Sequence, residues 1–130
     1  MSLGIYPVYD CAVPEARVHE PCTILAVEYA AVDAIADVYG IARMTSFGDT
    51  PGVPGDFDND EVDELGPVDD WFPCHAGIHA FESLARIILK DPASARRLRA
   101  PHAAARELKA IAQALAIAAI RDARFHLELR

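Results

Sequence analysis

The stretch between residues 48 and 70 limits the possible folds of this chain more than any other part of its sequence. It contains four of the seven glycines, three of the nine prolines and nine carboxylates. Glycine is flexible, proline removes a backbone donor, and closely spaced like charges repel, so neither a helix nor a central strand can run through it. We therefore expect a long acidic surface loop over residues 48–70.

Three segments outside this loop have the three- and four-residue apolar spacing of amphipathic helices. The first covers residues 23–40, and its final glycine is a helix-ending signal. The second covers residues 73–90, and the third covers about residues 102–122, after a short basic helix. The uninterrupted apolar run over residues 114–120 predicts that the second half of the third helix is enclosed on most sides.

Both ends of the chain have the composition of β-strands. Residues 4–9 are rich in Ile, Tyr and Val, and Pro7 restricts such a strand to a sheet edge. Residues 125–130 alternate apolar and polar side chains, which predicts a half-buried strand with His126 on its polar side. The expected fold is α+β and predominantly helical, a single domain over residues 1–130. Three main helices pack with a two-stranded sheet formed by the N- and C-terminal strands.

Charge is divided unevenly along the chain. Residues 1–70 hold 15 acidic and 2 basic side chains, residues 71–130 hold 5 acidic and 10 basic ones, and Lys and Arg are absent from residues 44–85. Such a negative segment repels phosphate, so we expect no nucleic-acid partner. A group of basic residues in the second half could contact phosphate, but in a chain of net charge −8 pairing with the acidic loop is the simpler role for them. That group comprises Arg96, Arg97, Arg99, Arg106 and Lys109.

The apolar runs and the cysteines of the sequence indicate in which cellular compartment the protein lies. The longest clean apolar run, residues 114–120, is far shorter than the ~20 residues that cross a bilayer, and the N-terminal residues lack the pattern of a secretory signal. The cysteines Cys11, Cys22 and Cys74 form an odd set without metal-type spacing, which suits free thiols. We expect a cytoplasmic protein with no membrane association.

Three short motifs can be compared with known proteins. The chain opens with Ile5-Tyr6-Pro7-Val8-Tyr9, has a Ser46-Phe47-Gly48 turn before the acidic loop, and leads from Trp71-Phe72 into a helix that contains glycine. These motifs resemble a group of small uncharacterised bacterial proteins, over most of the chain. Members of that group often have an aspartate and a glutamate around this helix start, where the chain has Phe72 and His75. The resemblance implies a bacterial domain and no assigned activity.

A histidine pair gives the strongest chemical lead. His75 and His79 are four residues apart, so a helix would point both imidazoles to one side, as in half of a zinc site. Ala76 stands where the HExxH peptidase motif has its glutamate, and Glu82 would lie ~10 Å from His75 along the helix axis, too far for a third ligand. Zinc or another divalent transition metal is the alternative cofactor prediction, against a pair of solvated histidines.

Other motifs for chemistry are incomplete. Asp56, Asp58 and Asp60 begin like a calcium loop, but Glu61 replaces the required glycine and Pro67 replaces the closing glutamate. Cys74 lies near a helix start, which favours a lowered thiol pKa, yet adjacent residues on a helix diverge, so His75 cannot serve as its base. We therefore expect no catalytic residues.

The acidic loop supports the leading functional hypothesis, a non-catalytic domain that docks a basic protein, of the immunity or antitoxin kind. Concentrated negative charge accelerates encounter with a basic partner, and an adjacent aromatic residue supplies buried contact. A loop that only keeps the protein in solution is the simpler reading, and a metal-dependent protein using His75 and His79 is the alternative. The predicted partner-binding residues are Asp56, Asp58, Asp60, Glu61, Asp63, Glu64, Asp69, Asp70 and Trp71.

Overall fold

The structure is a computed structural model, and it describes residues 4–18, 21–48 and 71–129. Within these ranges the fold is α+β and predominantly helical, as predicted. The α-helices are α1 (Thr23–Tyr39), α2 (Cys74–Lys90), α3 (Pro92–Ala95) and α4 (Pro101–Ile120). The strands are β1 (Ile5–Tyr9), β2 (Phe72–Pro73) and β3 (Arg124–Leu129), and two short 3-10 helices cover Pro14–Ala16 and Met44–Phe47.

The sheet is antiparallel and has the strand order β1-β3-β2. The predicted pairing of the terminal strands is confirmed, with Ile5 opposite Leu129 and Tyr9 opposite Phe125. Strand β1 is an edge strand, as its proline predicts. The prediction of two strands was incomplete, because Phe72 pairs with Phe125 and adds β2 to the other side of β3.

Aromatic packing explains the additional strand. The ring centroid of Phe72 lies 5.4 Å from that of Phe47 in an edge-on arrangement, and 6.3 Å from that of Phe125. Phe81 of α2 contacts the same group, with its ring centroid 5.4 Å from that of Phe47. Edge-on pairs at these distances are favourable beyond their buried area. Packing of the partly buried Phe72 against this cluster holds the backbone of β2 against β3.

Helices α2 and α4 form the main layer against the sheet. Phe81, Leu84 and Ile88 of α2 are buried, as are Leu108 and Leu115 of α4. Gly77 lets the elements approach closely, because a Cβ atom there would lie 2.5 Å from Phe125 Cζ and 2.7 Å from Leu115 Cδ1. The core therefore lies where α2, α4 and β3 meet.

The prediction for the second half of α4 was wrong. Ile117 is 41% exposed and Ile120 is 82% exposed, so this half is not enclosed. Burial in this half still follows the spacing of a helix with one buried face, since Leu115 and Ala118 are buried while Ala116 is exposed. When every residue of a helical segment is apolar, the sequence does not indicate which face of the helix is exposed to solvent.

Two carboxylates connect α1 and α4. Glu107 of α4 accepts hydrogen bonds from the backbone N–H groups of Ile24 and Leu25, at 3.3 and 2.9 Å, at the start of α1. In return, Glu28 of α1 accepts from the N–H groups of Arg99 and Ala100, at 2.8 and 3.3 Å, just before α4. Neither helix has a capping bond from its own N-cap side chain. Each helix therefore supplies the acceptors that the start of the other needs.

Gly40 ends α1 as predicted. It adopts a left-handed conformation with φ 67°, and its backbone N–H donates to the carbonyl groups of Ala36 and Asp37. Within the three ranges, no helix is both long enough and apolar enough to cross a membrane.

Candidate functional site

The predicted partner-binding residues fall into two groups. Trp71 belongs to the part of the chain that the structure describes, immediately before β2. The others lie in the interval 49–70, outside the described residues. They are Asp56, Asp58, Asp60, Glu61, Asp63, Glu64, Asp69 and Asp70.

Trp71 is fixed by a ring contact on the sheet. Its ring centroid lies 4.5 Å from that of His126, and the two planes are tilted by 34°. Phe72 points instead into the aromatic cluster around Phe125, consistent with side chains alternating across a strand. The residue that follows the acidic segment is therefore half-buried and held on the fold, rather than extended into solvent.

His126 was predicted to lie on the polar side of the C-terminal strand, but it is buried. The residue is 5% exposed, and the Trp71 ring packs against its imidazole. Its Nε2 atom lies 2.8 Å from Oε2 of Glu128, two residues along β3, on the same face. Its Nδ1 atom is buried and has no hydrogen-bond partner within the described ranges. The carboxylate contact at Nε2 restrains the orientation of the imidazole, and the buried Nδ1 atom is left without a partner among the described residues.

Sequence reasoning missed this His126–Glu128 pair. The spacing His-x-Glu in a predicted strand was the available signal, since residues i and i+2 share one face. The approach of Trp71, 55 positions away in the sequence, could not be read from that pattern.

Most carboxylates of the described residues already have partners within the chain. Arg43 contacts Asp37, Arg121 contacts Glu15, and Asp33 accepts hydrogen bonds from Thr45. These bonds, with those of the helix caps, engage eight of the ten carboxylates in the described ranges. The eight are Asp10, Glu15, Glu28, Asp33, Asp37, Asp91, Glu107 and Glu128.

The pKa values of three of these carboxyl groups follow from their hydrogen bonds. The backbone N–H of Arg124 holds the pKa of Asp10 below its usual value, and the Arg43 guanidinium does the same for Asp37. The Tyr39 hydroxyl, which donates to Asp91 over 2.6 Å, lowers the pKa of that carboxyl group. These groups serve as charged acceptors within the fold.

The histidine pair lies on the outer side of α2. His75 and His79 are both exposed and one turn apart, as the spacing predicted. Within the part of the chain that the structure covers, no group of three or more His, Cys, Asp or Glu side chains could hold a metal ion. The structure therefore places the two histidines one turn apart on an exposed face without a described third ligand, and the metal hypothesis stays a prediction.

The lowered pKa that a helix start favours for the Cys74 thiol is not found in the structure. Its Sγ atom is buried and donates to the Ala123 carbonyl at 3.2 Å, and burial raises the pKa of the thiol to about 11. Burial also raises the pKa of Cys22 to about 12. Desolvation penalises the thiolate more than the helix start favours it, so neither thiol is an activated nucleophile.

Comparison with protein-family models, curated proteins and solved structures gave no match. The resemblance to a group of small bacterial proteins therefore stays a prediction.

Proposed function

We propose that this chain is a non-catalytic acidic domain that docks a basic protein partner through residues 49–70 and Trp71. The role would be of the immunity or antitoxin kind, in which binding alone neutralises the partner. We place it in the cytoplasm, where its three cysteines would stay reduced.

The distribution of carboxylates carries this proposal. In the described ranges, eight of ten carboxylates accept hydrogen bonds from, or pair with, the chain's own side chains or backbone. The interval 49–70 contributes nine more carboxylates, and no Lys or Arg occurs between residues 44 and 85 to neutralise them locally. A high density of one charge sign increases the encounter rate with an oppositely charged protein.

Trp71 adds a second element to the proposed surface. Tryptophan is among the residues that contribute most binding energy at interfaces, where a rigid ring fills a pocket on the partner. The contact with His126 orients the Trp71 ring, and half-burial leaves part of it accessible. Fixing the ring before binding reduces the entropy lost on association.

A pull-down from extract of the native host tests this proposal. At low salt the wild-type chain should retain a basic protein, and substituting Asp56, Asp58, Asp60 and Asp63 by lysine should abolish that capture. Retention of the same protein by the charge-reversed variant would contradict the proposal.

The exposed pair His75 and His79 supports the alternative function, a metal-binding protein or metal-dependent enzyme. Purified protein would then contain close to one equivalent of zinc or another transition metal, which His79→Ala removes. Protein that remains metal-free after incubation with Zn²⁺ would reject this alternative.

A further inference from the structure

A groove runs along the outer side of the contact between α2 and α4. Its volume is about 470 Å³, and it is open to solvent on one side. Helix α2 contributes four lining residues and α4 contributes two. They are Glu82, Arg86, Leu89 and Lys90 from α2, with Lys109 and Gln113 from α4.

The groove is cationic in an otherwise acidic protein. Arg86, Lys90 and Lys109 provide three positive charges, and Glu82 provides one negative charge. The ion pairs of arginine side chains among described residues join Arg43 to Asp37, Arg121 to Glu15, and Arg124 to Asp10. None of them involves a groove residue. The three cations are therefore available to an anionic ligand.

The spacing of the cations along α2 is compatible with an extended acidic peptide. Arg86 and Lys90 are one helical turn apart, which corresponds to ~6 Å along the axis at ~1.5 Å per residue. In an extended peptide, side chains two residues apart point the same way and are separated by ~6.6 Å. Two carboxylates at alternate positions of a peptide can therefore reach Arg86 and Lys90 together, with Lys109 on the opposite side of the groove.

The remaining lining favours a peptide over a nucleic acid. Leu89 is 43% exposed and gives the groove an apolar surface for an intervening side chain. The Gln113 amide can both donate to and accept from a peptide backbone. Glu82 would repel a continuous line of phosphates, whereas a peptide can present an uncharged group there.

We propose that this groove binds an extended acidic segment of a protein partner, with Asp or Glu at alternate positions. Arg86 and Lys90 each contact one carboxylate, Lys109 contacts the next one from α4, and Leu89 packs against a side chain between them. This site uses none of the residues of the proposed acidic docking surface, so either proposal can fail without the other.

Fluorescence anisotropy with a labelled peptide tests the site on the full chain. The probe contains Asp-Leu-Asp-Leu-Asp, and the control peptide has Asn in place of each Asp. We expect saturable one-to-one binding of the acidic probe at low salt. R86A/K109A should bind the probe at least about tenfold more weakly, because it removes two of the three positive charges that attract the carboxylates. The matched variant R96A/R97A removes two other exposed cations and should change binding less than about twofold.

Three results would overturn the proposal. They are an absence of saturable binding, equal losses in R86A/K109A and R96A/R97A, and equal binding of the Asn peptide. Tighter binding of a single-stranded oligonucleotide at the same residues would assign the groove to a different ligand class. Thermal unfolding of both variants checks that the exposed substitutions leave the fold intact.

Discussion

Burial determines the chemistry of the cysteine residues. Cys22 is 1% exposed and Cys74 is 3% exposed, while Cys11 lies on the surface. The thiolate is the reactive form, and desolvation raises the pKa of both buried thiols. The three cysteines should therefore differ sharply in reactivity although all three are free.

A thiol reagent such as DTNB measures this difference. At pH 8 we expect the native protein to release one equivalent of the chromophore rapidly, from Cys11, and the other two only upon unfolding. Protein in guanidinium chloride serves as the control and should release three equivalents at once. Rapid reaction of two or three thiols in the native protein would show that burial does not protect Cys22 or Cys74.

Gly77 is the position where added volume should be least tolerated. Gly77→Ala favours helix formation by about 1 kcal/mol but places a methyl group against Phe125 and Leu115, and overpacking typically costs about 1–3 kcal/mol. We expect a net decrease of roughly 1 kcal/mol in the free energy of unfolding, measured by urea denaturation.

A double variant checks the cause of that loss. In a Phe125→Leu background the Cβ atom gains space, so Gly77→Ala should destabilise the protein less than it does in the wild type. A Gly77→Ala variant that is as stable as the wild type would contradict the packing described here.

At the level of elements, the contact between α1 and α4 depends on hydrogen bonds as well as apolar burial. Helix α1 has no bond from its own N-cap side chain, Cys22, and the Glu107 carboxylate accepts two of its first N–H groups. A negative charge at a helix start is also favoured by the helix dipole.

Substitution of Glu107 tests the value of this interaction. Loss of a helix cap costs about 1 kcal/mol, and up to about 2 kcal/mol, so Glu107→Ala should lower the free energy of unfolding by that amount. Glu82→Ala is the matched control, because Glu82 is exposed and should contribute within about 0.5 kcal/mol. Equal stabilities of the two variants in chemical denaturation would argue against the cap.

The regular elements were largely predictable from apolar spacing, and their exceptions have physical causes. Gly40 and the periodic segments set α1, α2 and α4 close to their observed bounds. Strand β2 has two residues and depends on the Phe72 ring meeting Phe47 and Phe125, which are distant in sequence. The apolar spacing within one segment cannot predict a contact between residues that are distant in sequence.

At the scale of the whole molecule, charge is segregated between the acidic interval 49–70 and the cationic groove of α2 and α4. The sequence predicted the acidic interval and Trp71 as candidate site residues, because both follow from composition along one stretch. It did not predict the groove, because Arg86 and Lys109 lie on different helices and meet only after α2 packs on α4. It also did not predict the burial of His126, since Trp71 covers that residue from a distant position.

The central claim is that the carboxylates of the interval 49–70 attract a basic partner by long-range electrostatics. Two variants that each raise the net charge by three separate this claim from a general effect of net charge. D56N/D58N/D60N changes the acidic interval, and E82K/D122N instead changes one carboxylate of α2 and one in the turn after α4.

The most direct measurement is the association rate constant of each variant with the purified captured partner as a function of ionic strength. Charge-steered association slows steeply as salt screens the field, so the wild type and E82K/D122N should both lose at least about tenfold in rate between low and high salt. D56N/D58N/D60N should associate more slowly at low salt and depend much less on salt. Rates for D56N/D58N/D60N that match the wild type at every ionic strength would contradict the account.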